Sequence, residues 1–373
     1  MSGTRFINGA IAGGLDSLVI EGAAIASRPA SPTDATVDLA GGYLLPGFID
    51  TQVNGGGDVL LNDSPTVEAI ARIGAAHRRY GTTSFLPTLI SDDLDKVDAA
   101  MRAVEQAIDA GVPGVIGIHL EGPFLNAARK GTHDPAKFRT LDDDAIALLS
   151  SLKAGRTLVT LAPETCTDDD IRRLASASVV VAAGHTDASY ERMKSAFAAG
   201  VSGVTHLFNA MSPLSHRAPG VVGATLEDEQ AYAGIIVDGH HVSPAALRIA
   251  IRSRPRDRFM LVTDAMPTVG SATKTFSLQG KTIRANNGVC MEENGTLAGS
   301  DLDMETALRN AVAMIGLSVD EASFMASGAP AAFLGLRDRG SLIPGQRADL
   351  VWLDAELRLR AVWQAGERVP PAA

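Results

Sequence analysis

The sequence of 373 residues has little cysteine, no long apolar segment and no dense run of basic residues, and each absence excludes a class of protein. Its two cysteines, Cys166 and Cys290, lack the spacing of a metal site and allow at most one disulfide, so we expect ordinary reduced thiols. The apolar runs are shorter than the ~20 residues of a transmembrane helix. The N-terminus lacks the basic segment and apolar core of a signal peptide. These features predict a cytoplasmic protein with no membrane partner.

The charge of the chain is the second restriction. A net charge of −10 without a basic cluster argues against a nucleic-acid partner. An anionic substrate would need a local basic pocket, because the overall field does not attract it. With 46% apolar and 20% charged residues, the composition is that of a globular enzyme, and the length suffices for an α/β barrel with additions.

The middle of the chain alternates short apolar runs with segments of helical period, which predicts an α/β fold of the (β/α)8, or TIM barrel, type. The predicted strands are Tyr43–Gln52, Thr83–Pro87, Gly114–Glu121, Thr157–Pro163, Val179–His185, Gly203–His206, Ala231–Asp238 and Phe259–Asp264. Helical periods follow most of them, at Thr66–Tyr80, Asp93–Ala110, Asp142–Leu152, Ala188–Ala199 and Pro244–Ser253. Asp187 and Ser243 stand where two of these helices would be capped.

Both ends of the chain have a different character, with short strand-like runs between turns. The runs are Arg5–Asn8, Ser17–Glu21, Ala35–Leu39, Asp349–Leu353 and Leu357–Trp363. We therefore predict one small β-sandwich domain from residues 1–43 and 340–373, and a barrel from residues 44–339. Glycines and short β-like pieces in residues 265–300 predict a hairpin insertion, followed by a helix at Met304–Ile315.

Polar side chains end several of the predicted barrel strands, where barrel enzymes place their chemistry. Glu121, His185 and His206 end the third, fifth and sixth strands. One such histidine alone would more often be a hydrogen-bonded core residue. Two imidazoles and a carboxylate on one rim, however, form the ligand set of a catalytic zinc site with an open position.

Asp264 ends the eighth predicted strand, above the barrel mouth. It is the predicted general base, which would take a proton from a metal-bound water. A helix cap or a salt-bridge partner is the alternative structural explanation. Glu164 and Asp238, at other strand ends, are the next candidates for the base.

Several ordered motifs resemble the N-acetylglucosamine-6-phosphate deacetylases of the amidohydrolase superfamily, and they span nearly the whole chain. The motifs are Leu44–Asp50, His119–Asn126, Gly184–Thr186, Thr205–Met211, Asp238–His241, Leu261–Ala265 and Pro344–Leu350. The resemblance implies a distorted barrel with a small β domain, a homodimer, and hydrolysis of N-acetylglucosamine 6-phosphate to glucosamine 6-phosphate and acetate.

The resemblance also implies roles for individual residues. His133 would polarise the acetyl carbonyl as a second catalytic residue. Further substrate contacts would come from Thr132, Asn209, Ala210, Arg217, His241, Leu297, Ala298 and Gly299. Arg217 is in addition the only arginine between Lys194 and Arg248, and its planar guanidinium suits a phosphate group.

The chain departs from the superfamily at the first strand. Many members carry His-x-His there, but this sequence has Gln52 and Asn54, and amides are poorer zinc ligands than imidazoles. At the end of the fourth strand Glu164 replaces a bridging lysine. We therefore expect one divalent metal per subunit, Zn²⁺ in the first place, with Fe²⁺ or another divalent ion as alternatives.

Three alternatives stay open at this point. The galactosamine epimer differs by one hydroxyl orientation, which these residues do not specify. Another amidohydrolase activity, such as cyclic amide hydrolysis, fits the motifs less well. A barrel scaffold without activity would have no need of the metal ligands or of Asp264. The sequence also leaves open whether Arg217 or His241 serves the neighbouring subunit.

Overall fold

The computed structural model describes residues 3–370 and is built around an eight-stranded parallel sheet whose strand order follows the chain. The strands are Phe48–Val53, Thr82–Ile90, Gly117–Glu121, Arg156–Leu161, Val180–Ala183, Val201–Val204, Tyr232–Ile235 and Phe259–Leu261. They are almost entirely buried, because side chains fill the barrel inside and helices cover it outside. The predicted (β/α)8 fold class is confirmed.

Helices surround this sheet and bury their apolar faces against it. The α-helices are Val67–Arg78, Leu94–Asp109, Asp143–Leu149, Asp168–Ser176, Tyr190–Ala199, Gly220–Glu227, Pro244–Ser253, Met304–Asn310, Val319–Ala326 and Gly328–Phe333. One π-helical turn, Ala311–Ile315, extends the helix that begins at Met304, and 3-10 turns occur at Ala127–Arg129, Pro135–Lys137, Pro163–Thr165 and Arg256–Arg258. Among residues 3–370, no helix combines the length and the apolarity needed to span a bilayer.

One of the two predicted helix caps needs correction. The helix predicted from Ala188 begins at Tyr190, and its cap is Ser189, whose hydroxyl accepts the amide of Arg192; the prediction of Asp187 as the cap was wrong. Ser243 does cap its helix, accepting the amide of Ala246.

The strand predicted as Tyr43–Gln52 is in fact two strands, Tyr43–Pro46 and Phe48–Val53. They separate at Gly47, where a β-carbon would lie 2.1 Å from the hydroxyl oxygen of Thr83. The side chain of Thr83 packs so closely against the backbone of Gly47 that only glycine fits here.

Both chain ends contribute to small sheets beside the barrel. One sheet contains Ala24–Ile25, Leu18–Glu21, Thr4–Ile7 and Ala35–Asp38; the other contains Ala10–Ile11, Tyr43–Pro46, Leu350–Leu353, Leu359–Gln364 and Glu367–Arg368. Their apolar faces share one core, in which the ring of Phe6 meets Trp363 edge to face at 4.9 Å. Because Tyr43–Pro46 pairs with Leu350–Leu353, the small sheets extend slightly past residue 43. The domain limits at residues 43 and 340 stay a prediction.

The insertion after the eighth barrel strand is an antiparallel sheet of four strands, Thr275–Leu278, Lys281–Asn286, Val289–Glu292 and Leu297–Ser300. Its own apolar cluster contains Ile283 and Cys290 together with Ile90 from the second barrel strand. A short hairpin of Gly55–Gly56 and Val59–Leu60 follows the first barrel strand. The insertion therefore leans over the barrel at the end where the second strand finishes.

The barrel closes at the carboxyl ends of its strands, where the first strand meets the segment after the eighth. Val53 and Ala265 form a parallel bridge, and the amide of Asp264 donates to the carbonyl of Gln52 at 3.0 Å. The buried carboxylate of Asp50 accepts the Thr263 hydroxyl at 2.5 Å. Burial, opposed by these hydrogen bonds, raises the pKa of Asp50 to about 7. The closing contacts therefore fix the position of Asp264.

Candidate active site

The interior of the barrel is layered along its axis, and the layers become more polar toward the carboxyl ends of the strands. An apolar layer at the opposite end includes Ile49, Leu86 and Leu158. Above it, the His119 ring lies between hydroxyl groups, with Thr160 Oγ1 2.8 Å from Nε2 and Thr88 Oγ1 3.3 Å from Nδ1. Glu121 lies two residues beyond His119 on the same strand, so the metal-ligand candidates at the mouth lie directly above this hydrogen-bonded layer.

Glu121, His185 and His206 converge at the barrel mouth. The Nε2 atom of His206 lies 2.9 Å from Glu121 Oε1 and 3.1 Å from His185 Nε2, and His185 Nε2 lies 3.3 Å from the same carboxylate oxygen. All three side chains are buried, and their ligand atoms lie within 4.8 Å of one another. The structure thus brings together the three predicted ligands.

The donor set fits a divalent metal. Ligand atoms placed tetrahedrally at about 2.1 Å from zinc are roughly 3.4 Å apart, close to the separations found here. The Nδ1–H of His185 donates to the backbone carbonyl of Arg129 at 2.9 Å, which directs the Nε2 atom of this ring at Glu121. A bound cation would take the place of a proton between this Nε2 atom and the carboxylate.

The charge distribution agrees with this interpretation. Burial acts to raise the pKa of Glu121, but hydrogen bonds with His185 and His206 outweigh it and hold that pKa well below its usual value. For His206, burial lowers the pKa, while the hydrogen bond and charge of Glu121 raise it above the ordinary value. The carboxylate is therefore negative and available to a cation.

Gln52 and Asn54 contact the same cluster through their amide groups. Gln52 Nε2 donates to both Glu121 oxygens at 3.2 Å and to Asp264 Oδ1 at 3.1 Å. Asn54 Nδ2 donates to Asp264 Oδ1 at 2.7 Å. An N–H group directed at the carboxylates occupies the place where imidazole lone pairs would bind a second ion, so this part of the pocket is suited to hydrogen bonding.

Asp264 lies in the cleft beside the ligand cluster. Its burial and the negative charge of Glu121 raise its pKa to about 6, against the opposing effects of His206, His241 and Asn54. A carboxylate with a pKa near the working pH can both accept and return a proton, which is the requirement for a general base that later acts as an acid.

His133 lies beside Glu121, with its Nε2 atom 4.0 Å from Glu121 Oε2. Its ring centroid is 4.4 Å from that of His185. Burial, followed by the positive potential of His185, holds the pKa of His133 well below its ordinary value. The ring is therefore neutral and can donate one hydrogen bond.

A cleft of about 380 Å³ opens above this cluster. Most of the residues predicted for the site line it; they are Asn54, Glu121, Thr132, His133, His185, His206, Asn209, Ala210, His241, Asp264, Leu297 and Gly299. Its volume lies in the range of small-molecule sites. Predicted residues at the ends of six barrel strands and in the insertion therefore meet in one place.

Two residues predicted as substrate contacts do not line this cleft. Ala298 is fully buried in the core of the insertion. Arg217 is exposed on the loop after the sixth barrel strand, where Leu214 is 57% exposed. Within one chain, the structure does not bring Arg217 to the metal-ligand cluster.

The two alternative bases are engaged elsewhere. Glu164 accepts hydrogen bonds from Asn126, Thr186 and the backbone of Asp187, and it does not line the cleft. Asp238 Oδ2 accepts a hydrogen bond from Nδ1 of His241 at 2.6 Å, and this bond holds the His241 ring at the cleft wall. Burial acts to raise the pKa of Asp238, but its hydrogen bond with His241 lowers it below the usual value. Asp264 lines the cleft and is not one of the metal-ligand candidates, so it is the carboxylate available for proton transfer.

Backbone conformation contributes to this arrangement. The φ angles of His185, His206 and Asp264 are 47°, 34° and 52°, in the left-handed region that residues other than glycine rarely adopt. Such strain persists where surrounding contacts impose it, and it is concentrated at functional sites. The turns that follow the fifth, sixth and eighth strands aim these side chains across the mouth.

Sequence reasoning missed several contacts of the site. Ser91 hydrogen-bonds to His133, and the carbonyl of Arg129 orients His185. Glu292 of the insertion accepts the hydroxyl of Thr132 at 3.0 Å. A signal for Ser91 was present, because the second strand runs to Ile90 and Ser91 is the residue at its end. The predicted strand stopped at Pro87, whereas the strand in the structure continues past this proline to Ile90.

Comparisons with known proteins agree with the geometry. Residues 43–369 match the profile of the Amidohydrolase family. An N-acetylgalactosamine-6-phosphate deacetylase of Shewanella sp. (strain ANA-3) is 44% identical over 331 residues, covering 88% of this chain and 84% of the relative. An N-acetylglucosamine-6-phosphate deacetylase of Haemophilus influenzae (strain ATCC 51907 / DSM 11121 / KW20 / Rd) is 36% identical, covering 84% and 83%. The crystal structure of N-acetylglucosamine-6-phosphate deacetylase from Pasteurella multocida superposes with a TM-score of 0.94 at 31% identity, covering 98% and 99%.

Proposed function

We propose, from the premise that this chain belongs to the amidohydrolase family, that it hydrolyses the acetamide of an N-acetylhexosamine 6-phosphate. The products are acetate and the free amino sugar 6-phosphate, and N-acetyl-D-glucosamine 6-phosphate is the substrate we propose first. The observation that carries the proposal is the position of Asp264 in one cleft with the convergent ligands Glu121, His185 and His206. This combination serves amide hydrolysis by water.

Glu121, His185 and His206 would hold one divalent metal, for which we propose Zn²⁺, with Fe²⁺ or another divalent ion as alternatives. When bound, the metal supplies a Lewis acid that polarises the acetyl carbonyl and makes the attacking water more acidic. A single ion is supported by Gln52 and Asn54, whose N–H groups point at the carboxylates where a second ion would need lone pairs.

Asp264 would perform the proton transfers. Its Oδ1 accepts hydrogen bonds from Gln52 and Asn54, so the carboxylate is held in one orientation. It would take a proton from the attacking water and deliver it to the nitrogen as the carbon–nitrogen bond breaks. An amine leaves readily only when it is protonated, so the second transfer determines whether the tetrahedral species goes on to products.

His133 would stabilise the acetyl oxygen as negative charge develops there. Because the ring is neutral and buried beside Glu121, it can present one N–H group to that oxygen. Preorganised donors of this kind stabilise the transition state more than the ground state.

The sugar would lie in the rest of the cleft. Thr132, Asn209, Ala210, His241, Leu297 and Gly299 line it, and we propose that they contact the sugar ring and its substituents. Ala298 would act through its backbone or by supporting its neighbours. Arg217 would bind the 6-phosphate from a neighbouring subunit, because within one chain it lies outside the cleft.

A homodimer is part of this proposal. The loop that carries Arg217 also exposes Leu214, an apolar side chain that an interface would bury. We further propose a cytoplasmic location, since a phosphorylated sugar does not cross a membrane unaided and the enzyme has to share its compartment.

The galactosamine epimer is the second candidate substrate, and the comparisons give it specific support. The Shewanella relative of 44% identity bears the galactosamine name, whereas the Haemophilus relative of 36% identity bears the glucosamine name. Hydrolysis of a cyclic amide and a role as an inactive scaffold have no comparable support.

One assay tests the proposal. Acetate release is measured with N-acetylglucosamine, N-acetylgalactosamine and their 6-phosphates, on protein of known metal content. We expect activity on at least one 6-phosphate and a large loss without the phosphate group. Metal-loaded protein that releases no acetate from any of the four sugars would refute the deacetylase function, and the ratio of kcat/KM for the two phosphates assigns the epimer.

A further inference from the structure

Ser91 is a buried residue next to Ile90, which lines the cleft, and no role has been given to it so far. It directly follows the second barrel strand and is 1% exposed. Its hydroxyl oxygen lies 2.8 Å from Nδ1 of His133, the ring proposed to contact the acetyl oxygen. A side chain in this position can determine which ring nitrogen carries the proton.

The backbone around this contact indicates the tautomer. The Ser91 N–H group also points at Nδ1 of His133, at 3.4 Å. A backbone N–H can only donate, so this contact favours a lone pair on Nδ1, to which the closer Ser91 hydroxyl can donate as well. In a neutral imidazole the proton then lies on Nε2, which faces the Glu121 carboxylate at 4.0 Å. A donor is favoured over a lone pair beside that negative group.

The opposite tautomer fits these contacts poorly. The Ser91 hydroxyl could instead donate to the Glu121 carbonyl, but that oxygen is 3.4 Å away, against 2.8 Å for Nδ1. The ring would then have to carry its proton on Nδ1, where it would meet the Ser91 N–H group. Two protons facing each other in a buried site would destabilise this alternative.

The position of Ser91 is itself fixed from two sides. Asn62 makes two hydrogen bonds with the backbone of Ile90, accepting its amide at 3.1 Å and donating to its carbonyl at 3.0 Å. From the insertion, Gln279 Nε2 donates to the Ser91 carbonyl at 3.1 Å. Ser91 therefore has little freedom to move away from the ring.

We infer that Ser91 is a positioning residue that holds His133 as the Nε2–H tautomer, so that the ring presents a hydrogen-bond donor to the cleft. The catalytic part of this inference rests on the proposed function, because the acetyl oxygen is the acceptor that the donor would serve. The tautomer is a property of the protein alone and can be measured without substrate.

The test measures the tautomer directly. Two-dimensional ¹⁵N NMR of ring-labelled histidines is recorded on the full-length Zn²⁺-loaded protein, and a His133→Gln variant assigns the His133 signals. The same spectra are recorded for Ser91→Ala. Ser84→Ala is the matched control, because Ser84 is a buried serine on the strand that Ser91 follows, and its hydroxyl accepts a hydrogen bond from Arg339, outside the cleft. Thermal melts and metal content are measured for every variant.

We expect a protonated Nε2 and an unprotonated Nδ1 for His133 in the unaltered protein and in Ser84→Ala. In Ser91→Ala we expect a mixture of the two tautomers, because the 2.8 Å contact with the hydroxyl is lost and only the backbone N–H, at 3.4 Å, still favours the Nε2–H form. We expect kcat to fall by about tenfold with little change in KM, since one buried hydrogen bond is lost. A protonated Nδ1 in the unaltered protein would overturn the inference. So would a fall in kcat with an unchanged His133 spectrum, which would show a merely structural role.

The same data separate this inference from the proposed function. A His133 ring in the Nε2–H form, in a protein that releases no acetate from any sugar phosphate, would refute the function and leave the tautomer assignment standing. Normal kcat and an unchanged His133 spectrum in Ser91→Ala, in an active deacetylase, would refute the role of Ser91 alone.

Discussion

Replacing Asp264 with asparagine is the most direct test of the proposed chemistry. In the structure, Asp264 Oδ1 accepts hydrogen bonds from Gln52 at 3.1 Å and from Asn54 at 2.7 Å. The amide oxygen of an asparagine can accept both bonds, so the side chain should keep its place. What is lost is the ability to accept a proton, because a carboxamide is not a base at neutral pH.

The magnitude follows from that separation of roles. We expect Asp264→Asn to lower kcat by ~10²- to 10⁴-fold, the range for a general acid–base group, or about 3–5 kcal/mol of activation free energy. Metal content should be unchanged, because Glu121, His185 and His206 keep their contacts. KM should change little, because the shape of the cleft is preserved.

The pH dependence of the unaltered enzyme gives a second measurement of the same group. Burial and the charge of Glu121 raise the pKa of Asp264 to about 6, while a bound cation acts in the opposite direction. A base must be deprotonated, so kcat/KM should fall as the pH drops, with a midpoint no higher than about 6. The variant should lack this acidic limb.

The assay is steady-state acetate release with metal analysis of the same samples. Asp303→Asn is the matched control, because Asp303 is a half-buried aspartate that caps the helix from Met304 outside the cleft, and asparagine caps helices equally well. Turnover of Asp264→Asn within about tenfold of normal, on metal-loaded protein, would contradict the range expected of an acid–base group and move the proton transfer to another residue.

Four further predictions follow from the same structure. His185→Ala should lower metal content and activity together, and full activity in metal-free protein would disprove the metal site. The unaltered protein should retain about one equivalent of metal after removal of loosely bound ions, because Gln52 and Asn54 offer N–H groups in place of ligands; two firmly bound equivalents would contradict this. Arg217→Ala should reduce kcat/KM strongly for the 6-phosphate and hardly for the unphosphorylated sugar, whereas equal losses on both would indicate a structural role for the loop. His77 is fully buried, its ring donates to the Gly55 carbonyl at 2.8 Å, and burial lowers its pKa to about 4. The unfolded chain therefore binds more protons than the folded chain, and stability falls as the pH drops from 6.5 to about 4. Chemical denaturation should show a loss of roughly 3 kcal/mol in this window that His77→Gln lacks; an equal pH dependence of unfolding free energy in the two proteins would refute the assignment.

The sequence alone determined the fold class and the metal-ligand candidates. Eight apolar runs separated by helical periods specify a parallel barrel, because strands covered on both faces need apolar residues throughout. Glu121, His185 and His206 were recognisable because each follows such a run, and the carboxyl ends of parallel strands meet at one rim. The chemistry of the site can thus be inferred from local sequence patterns alone.

Only the tertiary structure decided how the site is supported. The hydrogen bond from Ser91 to His133 joins residues 42 positions apart, and the amides of Gln52 and Asn54 reach Asp264 more than 200 positions away. The left-handed backbone at His185, His206 and Asp264 is equally invisible in sequence, because few residues other than glycine adopt it and a His or Asp does not by itself specify it. The tertiary structure also showed that Arg217 lies outside the cleft of its own chain. Local patterns record which face of a strand is buried, whereas partners, distances and the direction of a side chain depend on how distant segments pack together.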